Sequence, residues 1–439
     1  MKLKQFINNN YFQGYAYSYP HKSAYRVLVN PRTLTDIWST ENKQNLFLYL
    51  HIPFCEMRCG FCNLFTIANP DNTLENPYIN QIEKQALATK KALGETHFSR
   101  LAIGGGTPSF LSLKDLEKMF AIITDIMKVD IKKANASIET SPKTISIEKL
   151  ALFKKTGITR VSIGIQSFIL EETKALGRPQ TVEVAKNALE MIKKSGVPEM
   201  NIDLIYGMAS QTNATFQYSL EQAMSYQPTE IFLYPLYVRP LTGLGVKDKS
   251  WNDHRLELYR FGVNFLEQNN YEQISMRIFR RKDATQLDIG PYDSPTAAMV
   301  SLGVGARSYT KDFHYSSEYA VGRKGVKEII HSYNDKTDTQ FKDINFGTNL
   351  SVDEQKRRFI IKSLLEGQYL DFQAYKNYFN TNVLEDFTQL NELYEMDLVS
   401  KGNNKILQLN KKGLELSDVI GPWLYSNEVT EEMRKYELK

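Results

Sequence analysis

All three cysteines of the chain fall within eight positions, as Cys55, Cys59 and Cys62 in Tyr49-Leu-His-Ile-Pro-Phe-Cys-Glu-Met-Arg-Cys-Gly-Phe-Cys-Asn-Leu-Phe-Thr66. Three thiols cannot all pair as disulfides, and confining them to one segment leaves the rest of the chain free of oxidisable thiol, the usage of a reducing compartment. The C-x3-C-x2-C spacing suits soft-metal ligation. Three thiolates leave one iron of a four-iron cluster without a protein ligand, whereas a closed structural zinc site requires a fourth Cys or a His. His51 is the nearest such residue, and Pro53 between it and Cys55 makes a compact zinc knuckle awkward. The residues alone leave three readings, in descending order of fit: an iron–sulfur cluster, a zinc site, and unligated thiols packed in a core.

A second stretch is Gly104-Gly105-Gly106-Thr107-Pro108. Consecutive glycines let a backbone approach a ligand closely and expose N–H groups that hold a carboxylate, although alone they equally mark a tight turn. The elements that must position both stretches follow a rhythm. Apolar or β-branched runs of strand length recur at 46–52, 99–104, 135–140, 160–166, 200–206 and 230–237. Segments of helical periodicity separate most of them, at 77–94, 113–128, 146–156, 181–195 and 214–226. Strand alternating with helix means parallel strands joined by crossovers. Six units are too few to close an eight-stranded barrel, so the sequence predicts an α/β fold with an open, partial (β/α)6 TIM-like barrel across roughly 41–240. In such a barrel the loops at the C-terminal strand ends build the active site. The cysteines follow the first strand and the glycines the second; Glu139 ends the third, Gln166 the fourth, Asp203 lies late in the fifth and Tyr237 closes the sixth. These groups therefore converge on one rim.

Outside the barrel, residues 1–40 read as a polar lead-in whose Tyr11, Tyr15, Tyr17 and Tyr19 pack on the main body. A helix is expected over 252–268, one strand running into a basic loop over 271–281, and a glycine-punctuated stretch over 301–309. Residues 310–350 read as a linker. Helical patterns at 353–366 and 384–396, followed by a hairpin about Gly402-Asn403-Asn404, predict a small winged-helix-like domain over 351–439. Hydrophobic residues at 42% and charged residues at 24% are those of an ordinary soluble protein, and a net charge of +4 argues against a partner such as nucleic acid. The N-terminus turns polar before an apolar signal segment can form, and no apolar run approaches the ~20 residues of a membrane span, so the expected location is cytoplasmic.

An iron without a protein ligand can be chelated by the amino and carboxylate groups of S-adenosylmethionine (SAM), whose reductive cleavage gives a carbon radical. Cys55-x3-Cys59-x2-Cys62, with Phe61 before the last cysteine, resembles the signature of the radical SAM superfamily. With Tyr49-Leu-His-Ile-Pro-Phe-Cys55, Gly104-Gly-Gly-Thr-Pro108, Glu139, Arg160-Val-Ser-Ile-Gly-Ile-Gln166, Arg178 and Asn201-Ile-Asp-Leu-Ile-Tyr-Gly207, the chain is similar to the oxygen-independent coproporphyrinogen III oxidase family over most of its length. That family includes the haem-biosynthesis dehydrogenase, a haem chaperone and radical methyltransferases. The resemblance implies a core with a barrel extension over 41–309, a [4Fe-4S] cluster on the three cysteines, and SAM, one molecule or two. Tyr49, Gly105 and Glu139 would contact the first SAM, and Phe61, Gly106, Thr107, Gln166, Arg178 and Asp203 the same or a second one. The implied reaction is oxidative decarboxylation of a carboxylated substrate such as a tetrapyrrole, with flavodoxin or ferredoxin as electron donor; a chaperone without turnover and methyl transfer are the alternatives. The chain departs from the family's oxidases at Asn63-Leu64-Phe65, where they carry a further cysteine, and at Arg239 and Arg307, where they have small or apolar groups. An arginine pair on the rim, with Arg277, Arg280 and Arg281 near in sequence, would suit carboxylates or phosphates; a solvated basic surface is the plain alternative.

Overall fold

The computed structural model describes residues 2–7, 11–14, 16, 18–68, 74–178, 180–245, 253–285, 287, 295–367, 369–402 and 405–437. Tyr15, Tyr17, Asn252, Asn403 and Asn404 of the expectations above lie outside them. One sheet of thirteen strands organises the molecule. Its strands are β1 (Arg26–Thr33), β2 (Leu46–Ile52), β3 (Phe98–Gly105), β4 (Asn135–Thr140), β5 (Arg160–Gln166), β6 (Glu199–Tyr206), β7 (Glu230–Pro235), β8 (Tyr271–Gln273), β9 (Ile278–Arg281), β10 (Met299–Leu302), β11 (Arg307–Tyr309), β12 (Phe313–Ser316) and β13 (Asp343–Asn349). In space they run β1-β13-β12-β11-β10-β2-β3-β4-β5-β6-β7-β9-β8.

The six strands from β2 to β7 are mutually parallel, as the alternation predicts, and the sheet stays open. β10 adds a seventh parallel strand against β2, pairing Met299 with Phe47 and Leu302 with Leu50. Alternate residues sort to opposite faces. Leu48, Leu50, Leu101, Ile103, Val161, Ile163, Ile202 and Leu204 are at most 1% exposed and form the core beneath the crossover helices. Their neighbours Tyr49, Ala102, Glu139, Gly164 and Asp203 keep accessible surface, because they face the open lumen. The crossover helices start where a Ser or Thr precedes them: the side chains of Ser112, Ser146, Thr181 and Thr212 each accept from the third backbone N–H beyond, satisfying an otherwise orphaned donor. Gly157 and Gly196, left-handed, terminate two of them.

Three expectations are corrected. The strand expected over 271–281 is a tight hairpin, β8 and β9, turned by a main-chain bond from Ile274 N–H to Ile278 O and by Ser275, whose hydroxyl receives the N–H of Ile278 at 3.3 Å. Residues 310–350 are no linker. They supply β12, a helix at Arg323–Asn334 and β13, which pairs with both β12 and β1, so the lead-in itself forms the edge of the sheet. The expected helix at 384–396 is broken into short turns at Val383–Asp386, Thr388–Leu390 and Asn391–Glu395, because Phe387 leaves the helical region at φ −132°, ψ 70°.

The C-terminal region has its own core, built from Phe359, Ile360, Leu364, Tyr375, Leu390, Leu407 and Ile420 with Leu3 and Tyr19 from the N-terminus. The predicted hairpin arms meet, with Val399 opposite Leu409, and the second arm pairs Ile406–Leu407 with Leu370–Asp371. Helices carrying a small ladder match the winged-helix-like expectation.

Candidate functional site

The cysteine loop leaves the C-terminal end of β2 and is held there by glycine contacts. Gly106 N–H donates to Ile52 O at 2.7 Å and Thr107 N–H to Phe54 O at 2.8 Å. A Cβ on Gly106 would lie 2.6 Å from Phe54 O and 2.9 Å from Cys55 Sγ, so only glycine fits against the loop. Gly60, between the second and third cysteines, donates to Leu176 O at 2.8 Å and accepts from Leu244 N–H at 2.7 Å. Main chain from beyond β5 and beyond β7 thus pins the loop from both sides.

Each thiol meets a different polar neighbour. Thr107 Oγ1 donates to Cys55 Sγ at 3.5 Å, Arg178 reaches Cys59 Sγ at 3.4 Å, and Thr66 Oγ1 stands 3.6 Å from Cys62 Sγ. Burial pushes the Cys55 thiol up to about 12, and the neighbouring Cys62 and Cys59 raise it further against the Thr107 bond. Cys62 is also raised, chiefly by burial. Cys55 and Cys62, whose thiols resist ionisation, are stabilised as thiolates by a bound cation. Among the described residues no three His, Cys, Asp or Glu side chains are placed to hold a single metal ion. The donor set, three sulfurs with a glycine cradle beside them, therefore fits an iron–sulfur cluster better than zinc. His51 is no ligand. Its Nε2 meets Phe65 O at 2.9 Å and its Nδ1 meets the Tyr49 hydroxyl at 3.2 Å, and burial lowers its pKa to about 4.

Around the loop the rim is polar. Gly105, at φ +114°, donates its N–H to Glu139 Oε2 at 3.1 Å. Glu139 is open to the lumen but ringed by protein; burial, and then Asp203, push its carboxyl up to about 7. Burial likewise raises Asp203 to about 6, against the bond it accepts from Asn201 Nδ2 at 2.8 Å and the pull of Arg160 and Arg178. Arg178 also donates to Gly164 O at 2.8 Å and to Gln180 at 3.2 Å, tying Cys59 to the end of β5. Gln166 ends β5 at φ +71°, its amide against Gly164. Phe61 packs with Leu176, Ile205, Met208 and Leu236. Tyr49 lies deeper, against His51.

The structure thus joins Cys55, Gly106 and Thr107, joins Cys59 to Arg178, and sets Gly105 on Glu139, with Asp203 facing the same lumen. Sequence reasoning missed Thr66, whose signal is only its place four residues after Cys62, and Arg160, whose charge acts on both carboxyls from the start of β5. It also misplaced most of the arginines. Arg277 pairs with Asp418 at 2.5 Å, Arg280 with Glu199 and Glu230 at 2.8 and 3.1 Å at the opposite end of the barrel, and Arg281 with Asp283 at 2.7 Å. Arg239 donates to Gln13 O at 2.8 Å beside Tyr237. Arg277, Arg280 and Arg281 are thus held in structural ion pairs, whereas Arg239, just beyond β7, lies with Arg307 within electrostatic range of His21.

Residues 49–223 match the family model described as the radical SAM superfamily. Oxygen-independent coproporphyrinogen III oxidase of Escherichia coli (strain K12) is 25% identical over 389 residues, covering 85% of this chain and 82% of that one. The protein of the same name from Helicobacter pylori (strain J99) is 24% identical over 420 residues, covering 91% and 89%. Heme chaperone HemW of Buchnera aphidicola subsp. Schizaphis graminum is 30% identical over 236 residues, covering 53% and 62%. The solved structure of coproporphyrinogen III oxidase (HemN) from Escherichia coli, described as a radical SAM enzyme, superposes with a TM-score of 0.80 at 23% identity over 93% of this chain and 96% of that one, and so shares the fold. The chain thus carries a radical SAM domain over residues 49–223 and is homologous along most of its length to the oxygen-independent coproporphyrinogen III oxidases.

Proposed function

We propose that the protein is a radical SAM oxidoreductase that oxidatively decarboxylates a carboxylated substrate of tetrapyrrole type, working in the cytoplasm with a low-potential electron donor such as flavodoxin or ferredoxin. A [4Fe-4S] cluster with SAM, when bound, supplies a 5′-deoxyadenosyl radical. Cys55, Cys59 and Cys62 hold the cluster, and Arg178 and Thr107 steady two of their sulfurs. Gly105 and Gly106 would bring main chain close to the cofactor's carboxylate, while Glu139 would accept an N–H of its amino group. Gln166, Arg178, Asp203, Tyr49 and Phe61 complete the pocket, the last by excluding water from one wall. The open side of the barrel admits a substrate too large for a closed one. The observation that supports this reading is the close approach of Gly106 to Cys55, which leaves no room for a Cβ and sets the glycine main chain beside the thiols.

The test is an anaerobic assay of reconstituted, reduced protein with SAM, scored for 5′-deoxyadenosine, with and without coproporphyrinogen III. Carbon dioxide and vinyl formation coupled to deoxyadenosine is the expected result. Absence of deoxyadenosine sinks the enzyme reading. The match to HemW favours one second reading, a haem-binding protein without turnover. It requires stoichiometric haem binding with no carbon dioxide released.

A further inference from the structure

On one side of the cysteine loop, where Gly305 lies against Phe65 and Lys22 acts on His51, three segments bring cations together. β11 and β12 turn Arg307, Tyr309 and His314 to one face of the sheet, with Tyr309 opposite His314 in register. Register continues that face through Met299 and Phe47 to the lumen side of β2, where Tyr49 stands. The helix Val352–Leu365 covers it with two basic residues. Arg358 places its guanidinium carbon 4.4 Å from the Tyr309 ring centre, and Lys362 its Nζ 3.4 Å from the Tyr309 hydroxyl. From the N-terminal segment, Lys22 donates to Gly305 O at 2.5 Å, and Tyr25 meets His314 Nδ1 at 3.3 Å. Arg307 lies close enough to act electrostatically on His21, Lys22, Tyr25, Tyr309 and His314.

Of the acids nearby, Glu41 lies within electrostatic range of Arg358 but accepts from the N–H groups of Asn42 and Lys311. Lys362 has Glu366 at 3.9 Å. Glu354, one turn before Arg358, accepts from the buried Tyr19 hydroxyl. Among the described residues no carboxylate stands within ion-pair distance of Lys22 or of Arg358, although Arg358 is only 6% exposed. Its guanidinium donates to Ala297 O at 3.4 Å. A buried guanidinium so poorly matched is costly unless an anion completes it. His314 gives an independent sign. It is 2% exposed, its Nδ1 faces Tyr25, and its Nε2 has no partner. With Tyr25 donating to Nδ1, the neutral ring carries its proton on Nε2 and offers it to an acceptor.

We propose that Lys22, Arg307, Arg358, Lys362 and His314 form an oxyanion site, and that its occupant is a carboxylate of the substrate remote from the reacting carbon. The proposal rests on the functional reading above for the identity of the substrate, while the site itself is independent of turnover. A polycarboxylate anchored there spans toward the rim along one continuous sheet face.

The test titrates the reconstituted full chain with coproporphyrin III and with its tetramethyl ester. The free acid is expected to bind at least about tenfold more tightly than the ester. Lys22→Gln combined with Arg307→Gln, on partly exposed positions that spare the core, is expected to weaken the acid by roughly tenfold and leave the ester unchanged. Equal affinity of wild type for acid and ester, or an unchanged acid affinity in the folded double variant, overturns the proposal. If the wild type binds neither, the tetrapyrrole reading of the function fails, and the site is judged by inorganic phosphate. Phosphate raising the melting temperature of wild type but not of the double variant then supports an oxyanion site, and an equal effect on both rejects it.

Discussion

Glu139 and Asp203 hold their protons at pH values where surface carboxylates have lost them, at about 7 and about 6, because burial disfavours their charge. A carboxyl raised above its unfolded value contributes stability that is fully present below about 4.5 and is lost as pH rises through about 7. The melting temperature of the cofactor-free protein should therefore fall between these values, and Glu139→Gln should flatten the fall. On the proposed assignment an amino N–H of SAM is accepted best by the ionised form of Glu139. Affinity should rise with pH up to about 7 and level off, with proton release below it, as calorimetry in buffers of different ionisation enthalpy would show. At Gly106 the demand is steric. Gly106→Ala places a methyl within 2.9 Å of Cys55 Sγ, and the expected outcome is iron content well below that of wild type after reconstitution, with unchanged circular dichroism. The cysteines and glycines were legible in the sequence because their chemistry is written in covalent order. Arg160 and Thr66 were not, since each acquires its role only when strands or loop ends come together.

At the scale of elements, the six parallel strands were legible for a simple reason. A strand covered by helices reads as a short apolar run, and Ser or Thr caps mark where each crossover helix begins. The strands β12 and β13 carry mixed, half-polar sequences, which made 310–350 read as a linker. The hairpin of β8 and β9 hid because its turn uses Ser275 instead of glycine or proline. That hairpin edges the sheet beside β7, and at the barrel end opposite the site Arg280 bridges Glu199 and Glu230, while Arg160 joins Glu230 at 3.0 Å. Arg280→Met leaves two carboxylates facing each other with one partner. It should cost about 2 kcal/mol in denaturant unfolding, between surface and buried pairs, while iron binding at the far rim stays at the wild-type level.

At the scale of the whole molecule, the C-terminal region is bound to the barrel through a charge. Asp418, 1% exposed, pairs with Arg277, 4% exposed, and both bond the hydroxyl of Tyr237 just beyond β7. Asp418→Ala strands a buried guanidinium, at a cost of about 3 kcal/mol. Hydrogen exchange should then quicken in Ser417–Trp423 before it does in β2 to β6. None of this was legible from composition, because Arg277 and Asp418 are far apart in the chain and neither sits in a recognisable pattern.

The two clamps on Gly60 carry a consequence for how the protein is made. Leu176 and Leu244 are synthesised long after Cys62. In a chain that folds as it leaves the ribosome, the cysteine loop waits unpinned until the segment beyond β7 has emerged, and the second clamp closes last. Iron delivered early would meet a loop without these two bonds, and iron delivered to the finished protein a loop already held by them.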